Sequence, residues 1–171
     1  AEGNYNLYLV LPDGSVFESV PQSLVQIIHN SPLAAVETAD IWLSVEGTDI
    51  GAIRDVPFRA ATAVGYFPAR TPFDVGIAAG GSSSSADALV SFPVTFADGT
   101  DYTVTAIGDV DTEPVNLAVQ DMSRYVARDG DFDVQVLHGS PDAPTVDVLA
   151  NGEPAVDNLA YGTYQGYLGL G

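Results

Sequence analysis

The stretch VQVLHGSPDAPTVDVLANGEPAVDNLAYG, residues 134–162, decides the fold because its first part is written twice in the chain. VQIIHNSP at 25–32 returns as VQVLHGSP at 134–141, with Val, Gln, two aliphatics, His, Ser and Pro in register and His29 answered by His138, an offset of 109. Each His-x-Ser-Pro is followed by a short loop and then by an alternating run with one Asp. These runs are ADIWLSVEG from Ala39, carrying Asp40, and VDVLANGEP from Val146, carrying Asp147. Alternation at a period of two marks a strand with one buried face. The chain therefore reads as a β protein built by repetition.

Working outward, β-prone runs separated by turn residues fall near 24–29, 39–46, 60–67, 72–79, 88–96, 101–108 and 114–120, the spacing of a sandwich. Asp98-Gly99 supplies the positive φ of a tight hairpin turn. GGSSSS at 80–85 reads as a flexible loop tip, and not as a phosphate loop, since no Lys and no helix accompany it. Before the first copy, the apolar run 5–11 ends at the turn signal Pro12-Asp13-Gly14, and 15–20 reads as a second short strand. Asn6-Leu7 echoes Asn116-Leu117, so the opening run resembles the closing strand of a unit.

These divisions give an N-terminal strand arm at 1–23, a first repeat at 24–121, a linker at 122–131 with a helical turn around 122–127, and a partial second repeat at 132–171. The expected fold class is all-β: an immunoglobulin-like antiparallel β-sandwich, one full repeat plus a partial second. Three strands are expected in the second repeat, without counterparts of 72–79, 88–96 and 101–108. Such a half-unit exposes an unpaired edge and an apolar face. Further residues, the arm at 1–23 or a second copy could cover it, and strand addition by the arm, within the chain or in a homodimer, is the expectation.

The chain has 171 residues, 46% of them hydrophobic, and a formal charge of −18. Its mean hydropathy is positive, which separates it from acidic disordered tails. All five basic residues are Arg, Lys is absent, and Asp outnumbers Glu. Such a surface suits high salt, where counter-ions screen self-repulsion. It opposes nucleic acid and anionic membranes, both of which are bound through basic patches. No apolar run reaches the about 20 residues of a membrane-spanning helix. The absence of Cys removes disulfides, thiol nucleophiles and thiolate metal sites. Ala1 in place of Met fits a mature product after signal cleavage or a fragment.

His29 and His138 are the only histidines, and both lie in the shared motif. One reading makes them general bases or metal ligands, with Ser31 and Ser140 as nucleophiles and Asp40 and Asp147 as orienting carboxylates. The other makes each imidazole a tie between strand end and loop, with Pro32 and Pro141 fixing the turn. A Ser directly before Pro is a turn former, and one His falls short of the three or four ligands usual for zinc, so the structural reading leads. Asp129, Asp131 and Asp133 alternate and are candidate calcium ligands, with a solvated linker as the plainer reading. Asp109, Asp111 and Glu113 form a weaker group. Tyr66, Phe67, Tyr161, Tyr164 and Tyr167 are expected in cores, an exposed row being the mark of a glycan-binding or protein-binding face. Trp42 is expected between two sheets.

The valine-rich strand, His138-Gly139-Ser140-Pro141-Asp142-Ala143-Pro144, Val146-Asp147-Val148 and the Asn151-Gly152 turn resemble the family known as domain of unknown function 4397, whose members are secreted prokaryotic proteins. The resemblance is close over 134–170, moderate over 25–109 and weak before Leu24. Phe58 and Tyr161 stand where that family shows an aromatic followed by Gly. In the first copy Leu33-Ala34 replaces Asp-Ala, so a site built from that loop would be intact only around 141–144. The resemblance implies an exported, often tandem β-sandwich module and implies no reaction. Together these readings give a non-enzymatic module at the cell surface or in the medium. It would bind an unknown protein or glycan, need no cofactor unless calcium, bind no nucleic acid and insert in no membrane. The alternatives are a calcium-stabilised adhesion module and a hydrolase using His138, Ser140 and Asp147.

Overall fold

A computed structural model describes residues 8–18, 20–109, 111–121, 123 and 132–170. The first copy of the motif ends β3 (Gln22–His29), whose alternation buries Ser23, Val25, Ile27 and His29 on one face. β4 (Thr38–Val45) and β5 (Thr48–Pro57) form a hairpin on Glu46-Gly47, both at positive φ (49° and 75°), the two-residue turn whose twist matches that of paired strands. β6 (Gly65–Pro68), β7 (Phe73–Ala79), β8 (Val90–Val94), β9 (Tyr102–Ile107) and β10 (Asn116–Gln120) follow.

Two four-stranded sheets result, in the orders β10-β9-β3-β6 and β5-β4-β7-β8. Every pairing is antiparallel except β3 with β9, which run parallel. Val25, Ile27, Phe67 and Val104 from one sheet meet Ile41, Val56, Phe73 and Val75 from the other. Phe96 sits edge-on to Phe67 and Phe73 at this core. Each side chain of this size stabilises the fold by about 1.5–3 kcal/mol when fully buried. The expected all-β sandwich is thus the architecture of this segment.

Two local expectations differ. β5 was not foreseen, because TDIGAIRDVP is an edge strand, exposed along most of its length and interrupted by two register shifts. The strand expected at 60–67 is shorter: ahead of β6 the Thr62 N–H still donates to the Ile27 carbonyl, but Thr62 Oγ1, and not its carbonyl, accepts the Ile27 N–H.

The second segment holds four strands, not three: β11 (Phe132–Leu137), β12 (Val146–Ala150), β13 (Glu153–Leu159) and β14 (Tyr164–Leu170). β11 pairs with β14 as β3 pairs with β6. β12 and β13 form a hairpin on Asn151-Gly152, again with both φ positive. Among the described residues nothing corresponds to β7, β8, β9 and β10. Asn30 Nδ2 donates to the Gly139 carbonyl, and Tyr164 and Thr105 join their hydroxyls at 2.5 Å, tying the two segments together. At Gly139 a Cβ would stand 2.5 Å from Asn30 Nδ2, so this close approach depends on glycine.

The arm forms its own hairpin, β1 (Tyr8–Val10) with β2 (Val16–Glu18), around Pro12-Asp13-Gly14. Asp13 accepts the N–H and hydroxyl of Ser15, and these bonds hold its carboxyl below the ordinary value. Among the described residues of the stretch expected to pair with the second segment, β1 finds its partner locally in β2, and Tyr8, Leu9 and Val10 stay exposed. Residues 5–7, and the helical turn expected at 122–127 apart from Ser123, lie outside the described residues.

Candidate functional site

Each histidine closes a loop at the end of its strand. His29 is 1% exposed and His138 5%. The Nε2 of His29 bonds the Val36 carbonyl at 2.5 Å, and that of His138 bonds the Pro144 carbonyl at 2.9 Å. A carbonyl can only accept, so Nε2 carries the proton in both rings. Nδ1 then accepts a backbone N–H, from Ser31 in the first copy and Ser140 in the second, each at 3.4 Å.

An aromatic edge completes each clamp. Phe58 packs against His29 and Tyr161 against His138, both with ring centroids 5.9 Å apart. The residue after the aromatic, Arg59 or Gly162, has positive φ and donates its N–H to the carbonyl of the same histidine. Here lies the physical reason for an aromatic-Gly pair, which Arg59 departs from at the cost of a left-handed backbone. Tyr161 has its hydroxyl raised above the usual value by burial and then by the charges of Glu113 and Asp109.

The aspartates brace a bulge. Asp40 on β4 lies opposite Arg54 and Asp55, and Asp147 on β12 opposite Asp157 and Asn158, where each hairpin shifts register. Asp55 and Asn158 adopt φ of 55° and 54°, and each donates its N–H to the Asp across from it, at 2.9 Å and 2.8 Å. Asp40 is fully buried and takes three more donors: the N–H and hydroxyl of Ser82 and the guanidinium of Arg54. Burial by itself would raise its carboxyl, but these bonds together outweigh it and hold Asp40 below the ordinary value. Asp147 is exposed.

Residues 132–171, which carry the second clamp and the second braced bulge, match a family model. The family is described as domain of unknown function (DUF4397). That match supports the family resemblance over residues 132–171. No curated protein matches the chain.

The DUF4397 segment and its first-copy counterpart bring the sequence candidates close but do not join them as a relay. The ring of each histidine bonds backbone groups. Ser31, 1% exposed, donates its hydroxyl to the Gly108 carbonyl at 2.6 Å, and the Asp carboxylates bond the bulge. Pro32 follows Ser31 at the surface, and Pro141-Asp142 forms the turn after Ser140, closed by the Ala143 N–H on the Ser140 carbonyl. An open cleft of 870 Å³ lies beside this turn, lined by His138, Val136, Val146, Val148, Asp142 and, from the first segment, Asp109 among others. Asp109 caps its own loop, accepting the N–H groups of Thr112, Asp111 and Glu113, which lower its carboxyl.

Of the calcium candidates, Asp133 lies on β11, while Asp129 and Asp131 are outside the described residues. Among the described residues no three His, Asp or Glu gather as a metal-ligating group. Nor is any described helix long and apolar enough to cross a membrane, which leaves β-barrels unaddressed. Tyr161, Tyr164 and Tyr167 are half-buried, whereas Tyr66 is exposed.

Trp42 corrects one expectation. Strand alternation puts it on the face of β4 opposite Ile41, which is in the inter-sheet core. It is buried there by Arg54, 4.1 Å above its ring, and its Nε1 donates to the Ser82 hydroxyl. The GGSSSS stretch is accordingly a tied loop in place of a free tip, since Ser82 is wedged between Asp40 and Trp42. Ser82 and Arg54 are the residues that sequence reasoning missed. The only available signal was that a buried Asp demands donors.

Proposed function

We propose that the chain is a non-catalytic, exported module of tandem β-sandwich repeats, displayed at a cell surface or released into the medium, with a binding or structural role toward a protein or glycan. The observation that carries this reading is the occupancy of both nitrogens of both imidazoles by backbone groups. A ring so engaged has no lone pair free to take a proton from a serine or to ligate a metal. The excess of Asp and lack of Lys fit a salt-rich milieu, where the charge of −18 is screened.

The test is a zinc titration by calorimetry beside ester and peptide hydrolysis assays, on the wild type, His138→Ala and Ser140→Ala. Expected are no stoichiometric zinc and no turnover that the substitutions abolish, with His138→Ala costing about 1–3 kcal/mol of stability through lost buried hydrogen bonds. Stoichiometric zinc lost in His138→Ala, or hydrolysis lost in Ser140→Ala, would overturn the reading.

A further inference from the structure

The first segment displays what the second lacks. β3 carries β6 on one edge and β9 on the other, and β4 lies between β5 and β7. β11 carries β14 and β12 carries β13, while among the described residues the edges equivalent to those that β9 and β7 occupy carry no strand. Three side-chain differences track this gap. Val25, Ile27 and Ile41 are 1%, 4% and 4% exposed, whereas their counterparts Val134, Val136 and Val148 are half-buried, the last two lining the 870 Å³ cleft. The Ser31 hydroxyl donates to Gly108, just past β9, but Ser140 is exposed. Asp40 takes the N–H and hydroxyl of Ser82, just past β7, but Asp147 has the Asn158 N–H as its donor among the described residues.

We propose that the cleft is a strand-acceptor site for a polypeptide segment of the β7–β9 kind. One strand runs antiparallel on β12, and the loop after it brings an N–H and a hydroxyl to Asp147. Another runs parallel on β11, and a carbonyl just past its end receives the Ser140 hydroxyl. This continues across β11 and β12 the pairing that β3 and β4 already make, and it meets an acidic carboxylate with donors. The occupant is not the β1–β2 hairpin: its sequence echoes β10, and β10 pairs with β9, not with β3. Nor is it a second copy as folded here, because that copy's β7 and β9 are interior strands of its own sandwich. The proposal deepens the binding role proposed above and rests on it.

The experiment appends a second copy of residues 69–121 after Gly171, restoring the link by which β6 leads into β7, and follows amide hydrogen exchange. Expected is that the amides of Val134, Val136, Val146 and Val148 slow at least tenfold, that Ser140→Ala and Asp147→Ala change from neutral to destabilising, and that a dye bound by exposed apolar surface is released. A control extension with polar residues at the positions copied from Val75, Ile77, Val104 and Ala106 should do none of these.

Unchanged exchange in the cleft while the first segment stays protected would overturn the proposal, whether or not the extension folds. So would equal protection by the polar control, or protection in the original chain that rises with protein concentration, which would make a second copy the occupant. These readouts involve neither metal nor turnover, so their failure is distinct from failure of the non-catalytic reading.

Discussion

Removing the same carboxylate from the two braced bulges should have unequal consequences. In Asp40→Ala the N–H groups of Asp55 and Ser82 and the hydroxyl of Ser82 lose an acceptor that is fully buried, and Arg54 loses its ion-pair partner at 3.1 Å. A buried donor left unmet costs about 1–3 kcal/mol, and Ser82 and Arg54, nearer solvent, recover part of the loss through water. The expected destabilisation is about 3–5 kcal/mol. In Asp147→Ala the Asn158 N–H, at an exposed position, turns to water, and the cost stays below about 1 kcal/mol. Urea denaturation read by Trp42 fluorescence, with protease resistance of 132–170 for the second segment, measures both. Equal costs would refute the claim that Ser82 and Arg54 make Asp40 a structural keystone.

Asp40 also predicts a pH effect. The Asp40 carboxyl is lower in the folded than in the unfolded chain, so its contribution is complete above the unfolded value near 3.8 and is lost as pH falls through the lowered folded value. Asp40→Asn should therefore flatten the acid limb of the wild-type stability curve below about pH 4, and an unchanged limb would contradict the assignment.

Two further outcomes follow from other parts of the molecule. The melting temperature should rise with monovalent salt, sodium and potassium serving alike, because screening relieves repulsion among the 23 carboxylates; a full rise from micromolar calcium alone would instead direct attention to Asp129, Asp131 and Asp133. Gly108 has φ 89°, and a Cβ there would collide with the Pro114 carbonyl oxygen, whereas Gly47 at φ 75° has open space. Gly108→Ala should cost at least about 2 kcal/mol more than Gly47→Ala, the left-handed strain being common to both, and similar melting temperatures for the two variants would show that the 108–114 approach is looser than described.

What the sequence determined by itself was whatever is local and periodic. The β-prone run at 24–29 announces a strand, which the structure buries on one face, and Asn151-Gly152 announces a turn, since the chirality of the backbone limits which residues take positive φ. The match between the two motif copies aligned His29 with His138 and Ser31 with Ser140. It even aligned Phe58 with Tyr161, which the structure sets against the two histidines at the same separation.

What only the tertiary structure decided depends on groups distant in sequence. Ser82 reaches Asp40 across 42 residues and Gly108 receives Ser31 across 77, and no local pattern encodes such a pairing. The face of β4 that Trp42 occupies was likewise open, because a large aromatic can be buried between sheets or beneath an Arg and a loop. β5 escaped notice since an exposed edge strand carries little apolar period. The open edges of β11 and β12 became visible only when β9 and β7 were seen beside β3 and β4, because strand pairing is a property of neighbours in space and not of either strand alone.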